Sequence, residues 1–141
     1  MASILIVDDD RDQSQPLAAL LRREGHEVEC ADSAADALRH VRHRTPDLML
    51  VDVMMPGTSG LEVLDALTDE PEFADIRFIV FSASDDPAFA AEAKRLGACD
   101  YIRKGDGWPV IHQRIRAHLP VTPPPTEAEV FVSADGFALP Q

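Results

Sequence analysis

The chain has 141 residues, 45% hydrophobic and 27% charged, which is material for one ordinary domain with a real core and gives no sign of two. A net charge of −12 and a pI near 4.6 argue against nucleic acid or an anionic membrane surface as the primary partner and favour cations or basic protein surfaces. No apolar run reaches the length of a membrane span, and Met1-Ala2-Ser3-Ile4 lacks the basic region of a signal peptide, so a cytoplasmic location is expected.

In chain order, Ile4 to Val7 is an apolar, β-branched run that stops at Asp8-Asp9-Asp10, as a buried strand with acid at its carboxyl end would. Helical periodicity follows: Pro16 suits a first turn, Leu17, Leu20 and Leu21 share a face, Arg22 and Arg23 suit a last turn, and Gly25 is placed to stop the helix. Glu27-Val28-Glu29-Cys30 alternates polar and apolar, the pattern of an edge strand. Ser33 with Asp36 resembles a capping box, and Ala34, Ala37, Leu38 and Val41 then repeat at helical spacing towards a basic cluster, Arg39 to Arg44.

Leu48 to Val51 is a short interior strand that ends at Asp52 and then at Pro56-Gly57. A carboxylate placed there at the edge of a core needs a cation, a metal or a functional role. A third helix runs through Leu61, Val63, Leu64 and Leu67, between Gly60 and Pro71. Ile76 to Phe81 is a fourth strand, ending at Ser82. Asp86 before Pro87 is an N-cap and first-turn pair for an Ala-rich helix closed by Gly97. Cys99 to Arg103 gives a fifth strand ending at Lys104, and Trp108, Ile111, Ile115 and Leu119 mark the core face of a last helix.

Five strands alternating with five helices predict a doubly wound α/β domain with a parallel sheet, whose ligands sit beyond the carboxyl ends of the strands. The residues there are Asp8, Asp9, Asp52, Ser82 and Lys104. Three carboxylates at one end repel one another by up to about 4 kcal/mol per close pair. An all-oxygen, shallow site of that kind suits Mg²⁺. With Lys104 and the Ser82 hydroxyl beside it, the set can neutralise and orient a phosphoryl group with Asp52 as acceptor. From Val121 the composition changes. Thr122 to Thr126 reads as a polyproline II spacer, and residues 127–141 as a tail that is disordered or docks, which divides the chain into a domain over 1–120 and a linker and tail over 121–141.

Ile4 to Asp10, Leu48 to Gly60, Ile79 to Ala83 and Gly97 to Lys104 together resemble the receiver domain of two-component response regulators, with the resemblance spanning roughly residues 2 to 119. It implies a flavodoxin-like fold with strand order 2-1-3-4-5 and five helices. It also implies a phosphoacceptor, Asp52, that takes its phosphoryl group from a histidine kinase or histidine phosphotransfer protein. By the same resemblance Asp9 and Asp52 bind Mg²⁺ directly with the backbone carbonyl of Met54, and Asp8 acts through water. Ser82 and Tyr101 form a switch pair that remodels the face of helix four, strand five and helix five, where a downstream protein binds. Such a protein catalyses only its own phosphorylation and dephosphorylation.

Two departures from the family pattern stand out. Gly105 follows Lys104 where the family usually has proline after a cis bond, so a trans bond and a more mobile Gly105-Asp106-Gly107 turn are expected. Met54 and Ser84 occupy the positions that tune dephosphorylation in the family; neither carries a carboxylate or amide to position water, which predicts a long-lived phosphoryl group. A phosphorylation-independent adaptor is the alternative function, and a Mg²⁺-dependent aspartyl-phosphate phosphatase a weaker one, because Met54 stands where it would want a second acid. Cys30 and Cys99 read as reduced, buried and structural; strand order 2-1-3-4-5 would put them on opposite edges of the sheet, too far apart to bridge.

Overall fold

The computed structural model describes residues 2–53, 55, 59–84 and 86–119. The carbonyl of Met54 and the segment 121–141 lie outside the described residues. Strands β1 (Ser3–Val7), β2 (Glu27–Ala31), β3 (Leu48–Val51), β4 (Arg77–Ser82) and β5 (Asp100–Arg103) form a parallel sheet in the order β2-β1-β3-β4-β5. Between and after them run α1 (Arg11–Arg23), α2 (Ala34–His43), α3 (Gly60–Thr68), α4 (Pro87–Arg95) and α5 (Trp108–His118).

The two-residue period of a strand sends alternate side chains to opposite faces, and both faces here are apolar. Ile4, Ile6, Leu48, Leu50 and Ile79 pack on Leu17 and Leu21 of α1 and on Ile111 and Ile115 of α5. Leu5, Val7, Met49, Val51 and Phe78 pack on Val41 of α2 and on Val63, Leu64 and Leu67 of α3. All four residues of β3 are fully buried, so the central strand carries apolar side chains on both faces. A smaller cluster of Val53, Val80 and Ala93 sits under α4, with Phe89 and Tyr101 packed against it.

The helix ends follow local chemistry. Asp10 caps α1 by accepting from the Asp12 amide, so the helix begins five residues before Pro16, and Pro16 lies inside it rather than in its first turn. A proline there removes only one intrahelical donor, while the Asp10 cap and the buried Ser14, Leu17, Ala18 and Leu21 hold the helix from both ends. Glu24 closes α1, and Gly25 follows with φ of 94°, the left-handed conformation that glycine adopts without strain. At α2, Ser33 accepts from the Asp36 amide as expected, but the Asp36 carboxylate is engaged with Arg39. At α3 the full reciprocal capping box belongs to Ser59 and Glu62.

Cys30 is half-buried on β2 and Cys99 is exposed just before β5; both are free thiols. The expectation of a buried Cys99 fails because it precedes an edge strand, where only one side of the chain has a neighbour to cover it.

Candidate functional site

Strand order reverses between β1 and β3: the chain runs from β1 outward to β2, then returns to β3 on the other side. A cleft opens at the carboxyl ends of strands on either side of such a switch. Asp8 and Asp52 directly follow β1 and β3 and are held there by main-chain bonds, Asp8 N–H to the Ala31 carbonyl at 3.0 Å and Asp52 N–H to the Val7 carbonyl at 2.9 Å. Ser82 is the last residue of β4, and Lys104 directly follows β5.

The carboxylates of Asp8, Asp9 and Asp52 each place an oxygen within 4.8 Å of the others. Asp8 and Asp52 are buried, at 3% and 5% exposure, while Asp9 faces solvent. Lys104 reaches into the cluster from the far side of the sheet, its Nζ 2.7 Å from Asp8 Oδ2 and 3.1 Å from Asp52 Oδ2. Burial alone would draw the lysine's pKa down, but the bonds and charges of Asp8 and Asp52 outweigh that and raise it above its ordinary value. A single ammonium against three carboxylates leaves a net negative, all-oxygen site that is open on the Asp9 side. That donor set fits a hard divalent cation that keeps part of its water.

Gly60 sets the height of this site. A Cβ built on it would lie 2.1 Å from the Asp52 carbonyl oxygen and 2.7 Å from Val51 Cγ1, so only glycine lets the start of α3 approach the end of β3 so closely.

Ser82 is fully buried, and its Oγ accepts from the Ser84 amide at 3.2 Å. Tyr101 is half-buried on β5 and donates its hydroxyl to the Ser84 carbonyl at 2.7 Å. Ser82, Ser84 and Tyr101 therefore form one hydrogen-bonded path from the end of β4 to the outer edge of the sheet. The path ends at a groove of about 320 Å³ between α4 and β5, walled by Ala90, Lys94, Cys99 and Tyr101 among others.

The bond from Lys104 to Gly105 is trans, as the glycine predicts. The turn after it is a short 3-10 turn, Lys104–Asp106, tied by an Arg103 to Asp106 ion pair of 3.2 Å. Two contacts of Lys104 were not foreseen: Gln13 Oε1 accepts from Nζ at 2.6 Å, and Nζ sits 5.7 Å from the centre of the Phe81 ring. Gln13 lies on α1, 91 residues before Lys104, and nothing in the local sequence pattern links the two.

A doubly wound parallel sheet with an acidic cluster and a lysine gathered at its switch point places the chain among open α/β domains that bind ligands beyond the carboxyl ends of their strands. The comparisons make the family definite: residues 4–116 match the family model described as the response regulator receiver domain, and the chain belongs to that family. It is 36% identical over 104 residues to protein PilH of Pseudomonas aeruginosa, a match covering 74% of this chain and 86% of PilH. It is also 36% identical over 126 residues to response regulator MprA of Mycobacterium leprae, a match covering 89% of this chain and 54% of MprA. The matched region is thus about half the length of MprA, and also of AfsQ1 from Streptomyces coelicolor, at 52%. Among solved structures, the chemotaxis protein CheY4 of Vibrio cholerae superposes with a TM-score of 0.80 at 25% identity, over 84% of this chain and 99% of that one. Response regulator TrrA of Thermotoga maritima, solved in complex with Mg²⁺-BeF, superposes with a TM-score of 0.75 at 27% identity, over 84% of this chain and all of TrrA. No described helix is long and apolar enough to cross a membrane.

Proposed function

We propose that Asp52 accepts a phosphoryl group from a phosphohistidine of a sensor kinase or histidine phosphotransfer protein, with Mg²⁺ bound beside it. The observation that carries this reading is the convergence of Asp8, Asp9 and Asp52 on one another with Lys104 bonded to both buried carboxylates. An Asp52 oxygen attacks phosphorus, the new O–P bond forms as the donor's P–N bond breaks, and the departing imidazole takes up a proton. Asp9 and Asp52 would hold the Mg²⁺ and Asp8 would act through water, the Met54 carbonyl expected as a further ligand lying outside the described residues. When bound, the ion would supply positive charge to offset that of the phosphoryl oxygens. Lys104 turns one of its donors from carboxylate to phosphoryl oxygen, and Ser82, whose Oγ only accepts from the Ser84 amide, donates its hydroxyl proton to another.

A phosphoryl group adds roughly −1.5 to −2 charges and strong acceptors. Pulling the Ser82 hydroxyl inward moves Ser84, whose carbonyl holds the Tyr101 hydroxyl, and so alters the wall of the groove between α4 and β5. That face is where a downstream protein reads the signal. Residues 1–120 form the receiver unit and 121–141 the linker and tail. The test is intact mass before and after a small phosphodonor with Mg²⁺. The native chain gains one phosphoryl group, Asp52→Ala gains none, and an unmodified native chain would instead favour the phosphorylation-independent adaptor. With Met54 and Ser84 at the tuning positions, the modified form should outlast the scale of seconds.

A further inference from the structure

We infer that Gln13, on the first turn of α1, is a positioning residue that fixes Lys104 in the site, a role that rests on the phosphoacceptor reading above. An ammonium has three donors, and here three acceptors take them: Asp8 Oδ2 at 2.7 Å, Asp52 Oδ2 at 3.1 Å and Gln13 Oε1 at 2.6 Å. Because the lysine can only donate, the Gln13 amide must present its oxygen, which fixes which way round the amide sits.

The position of Gln13 on the helix argues that this contact is more than a chance touch of a long side chain. Asp10 caps α1, so Gln13 stands third in the helix, where a glutamine normally reaches back to the amide of the capping residue. That amide is already taken. The Asp10 N–H donates to Asp8 Oδ1 at 3.0 Å, so one carboxylate of the acidic cluster does the work of the capping box and releases Gln13 to reach Lys104. Asp8 is thereby bonded at both oxygens, to α1 through Asp10 and to Lys104.

The turn that carries Lys104 explains why a second anchor matters. Gly105 follows the lysine, the bond between them is trans, and nothing lies within 4 Å of where a Gly105 Cβ would be. No proline ring fixes the backbone there, and the ion pair that ties the turn is made by Arg103 and Asp106 rather than by the lysine. Gln13 supplies the restraint from α1, an element held in the core by Leu17 and Leu21. When the lysine exchanges Asp52 for a phosphoryl oxygen, the bond to Gln13 keeps Nζ over the site.

The test compares the full chain with Gln13→Met, close in length but without an acceptor, and Gln13→Glu, which restores one. At fixed neutral pH without phosphodonor, hydrogen exchange of the Lys104 ammonium followed by ¹⁵N NMR should be about fivefold faster in Gln13→Met, the effect of losing one net hydrogen bond, and close to native in Gln13→Glu. With acetyl phosphate at saturating Mg²⁺, the phosphorylation rate of Gln13→Met should fall by a similar factor while its half-saturating Mg²⁺ concentration stays within about twofold of native. Unchanged ammonium exchange in Gln13→Met overturns the proposal, and so does faster exchange with an unchanged rate. A native chain that takes no phosphoryl group overturns the functional reading alone, since the ammonium exchange is measured without it.

Discussion

At the scale of single residues, Lys104 decides the state of the site. Its side chain is 14% exposed and lies between two carboxylates that are almost fully buried. Replacing it by methionine keeps the length of the side chain but removes the ammonium that bonds Asp8 and Asp52, so Lys104→Met should lower stability by about 1–3 kcal/mol in urea unfolding without divalent ions. The pH dependence follows from the same bonds. The pKa of Lys104 is raised in the fold, so the folded chain holds this proton more tightly than the unfolded one. Its contribution is complete below the unfolded lysine value, about 10.4, and is lost as pH rises through the higher folded value. A stability profile of the native chain should therefore steepen downward above about pH 10.4, and Lys104→Met should lack that component.

At the scale of elements, the position of Asp52 depends on how closely α3 can approach β3. Gly60→Ala would bring a Cβ to 2.1 Å from the Asp52 carbonyl, and the atom it meets is backbone, which cannot swing away. The variant should lose about 2–3 kcal/mol, read as a lower urea midpoint at nearly unchanged slope. Gly105→Ala is its control: the added Cβ meets nothing within 4 Å and the φ is not positive, so stability should stay level or rise by up to about 1 kcal/mol. The pair also shows what the sequence could reveal at this scale. Each strand and helix was legible, because periods of two and of 3.6 residues are local signals that a window of residues carries whole. The start of α1 was misread because proline at a first turn is a strong prior and was weighed above the Asp10-to-Gln13 spacing, which is itself a local cap signal. The need for glycine at residue 60 was hidden because it arises from Asp52, eight residues away, and the bond from Gln13 to Lys104 because its partners are 91 residues apart.

At the scale of the whole molecule, strand order was legible only through the family resemblance. Alternating strands and helices establish a parallel sheet but do not say which strand lies in the middle; the structure puts β3 there, fully buried, with the acidic cluster at its end. That placement brings three carboxylates together in a chain already carrying −12, and folding must hold them against their repulsion. A divalent cation that binds only the folded site therefore stabilises the whole fold, by about 2.7 kcal/mol when its concentration is 100 times the dissociation constant. Lys104 would limit how tightly such a cation binds, because its ammonium already bonds an oxygen of both Asp8 and Asp52 and repels a second positive charge. Thermal melts in Mg²⁺, matched for ionic strength with sodium chloride, should show a rising midpoint in the native chain. The rise should be abolished in Asp9→Asn, whose open carboxylate is the one not committed to Lys104, and should appear at lower Mg²⁺ in Lys104→Met. An equal rise in native and Asp9→Asn chains would mean that Mg²⁺ acts by general screening of the acidic surface and not at the ends of β1 and β3.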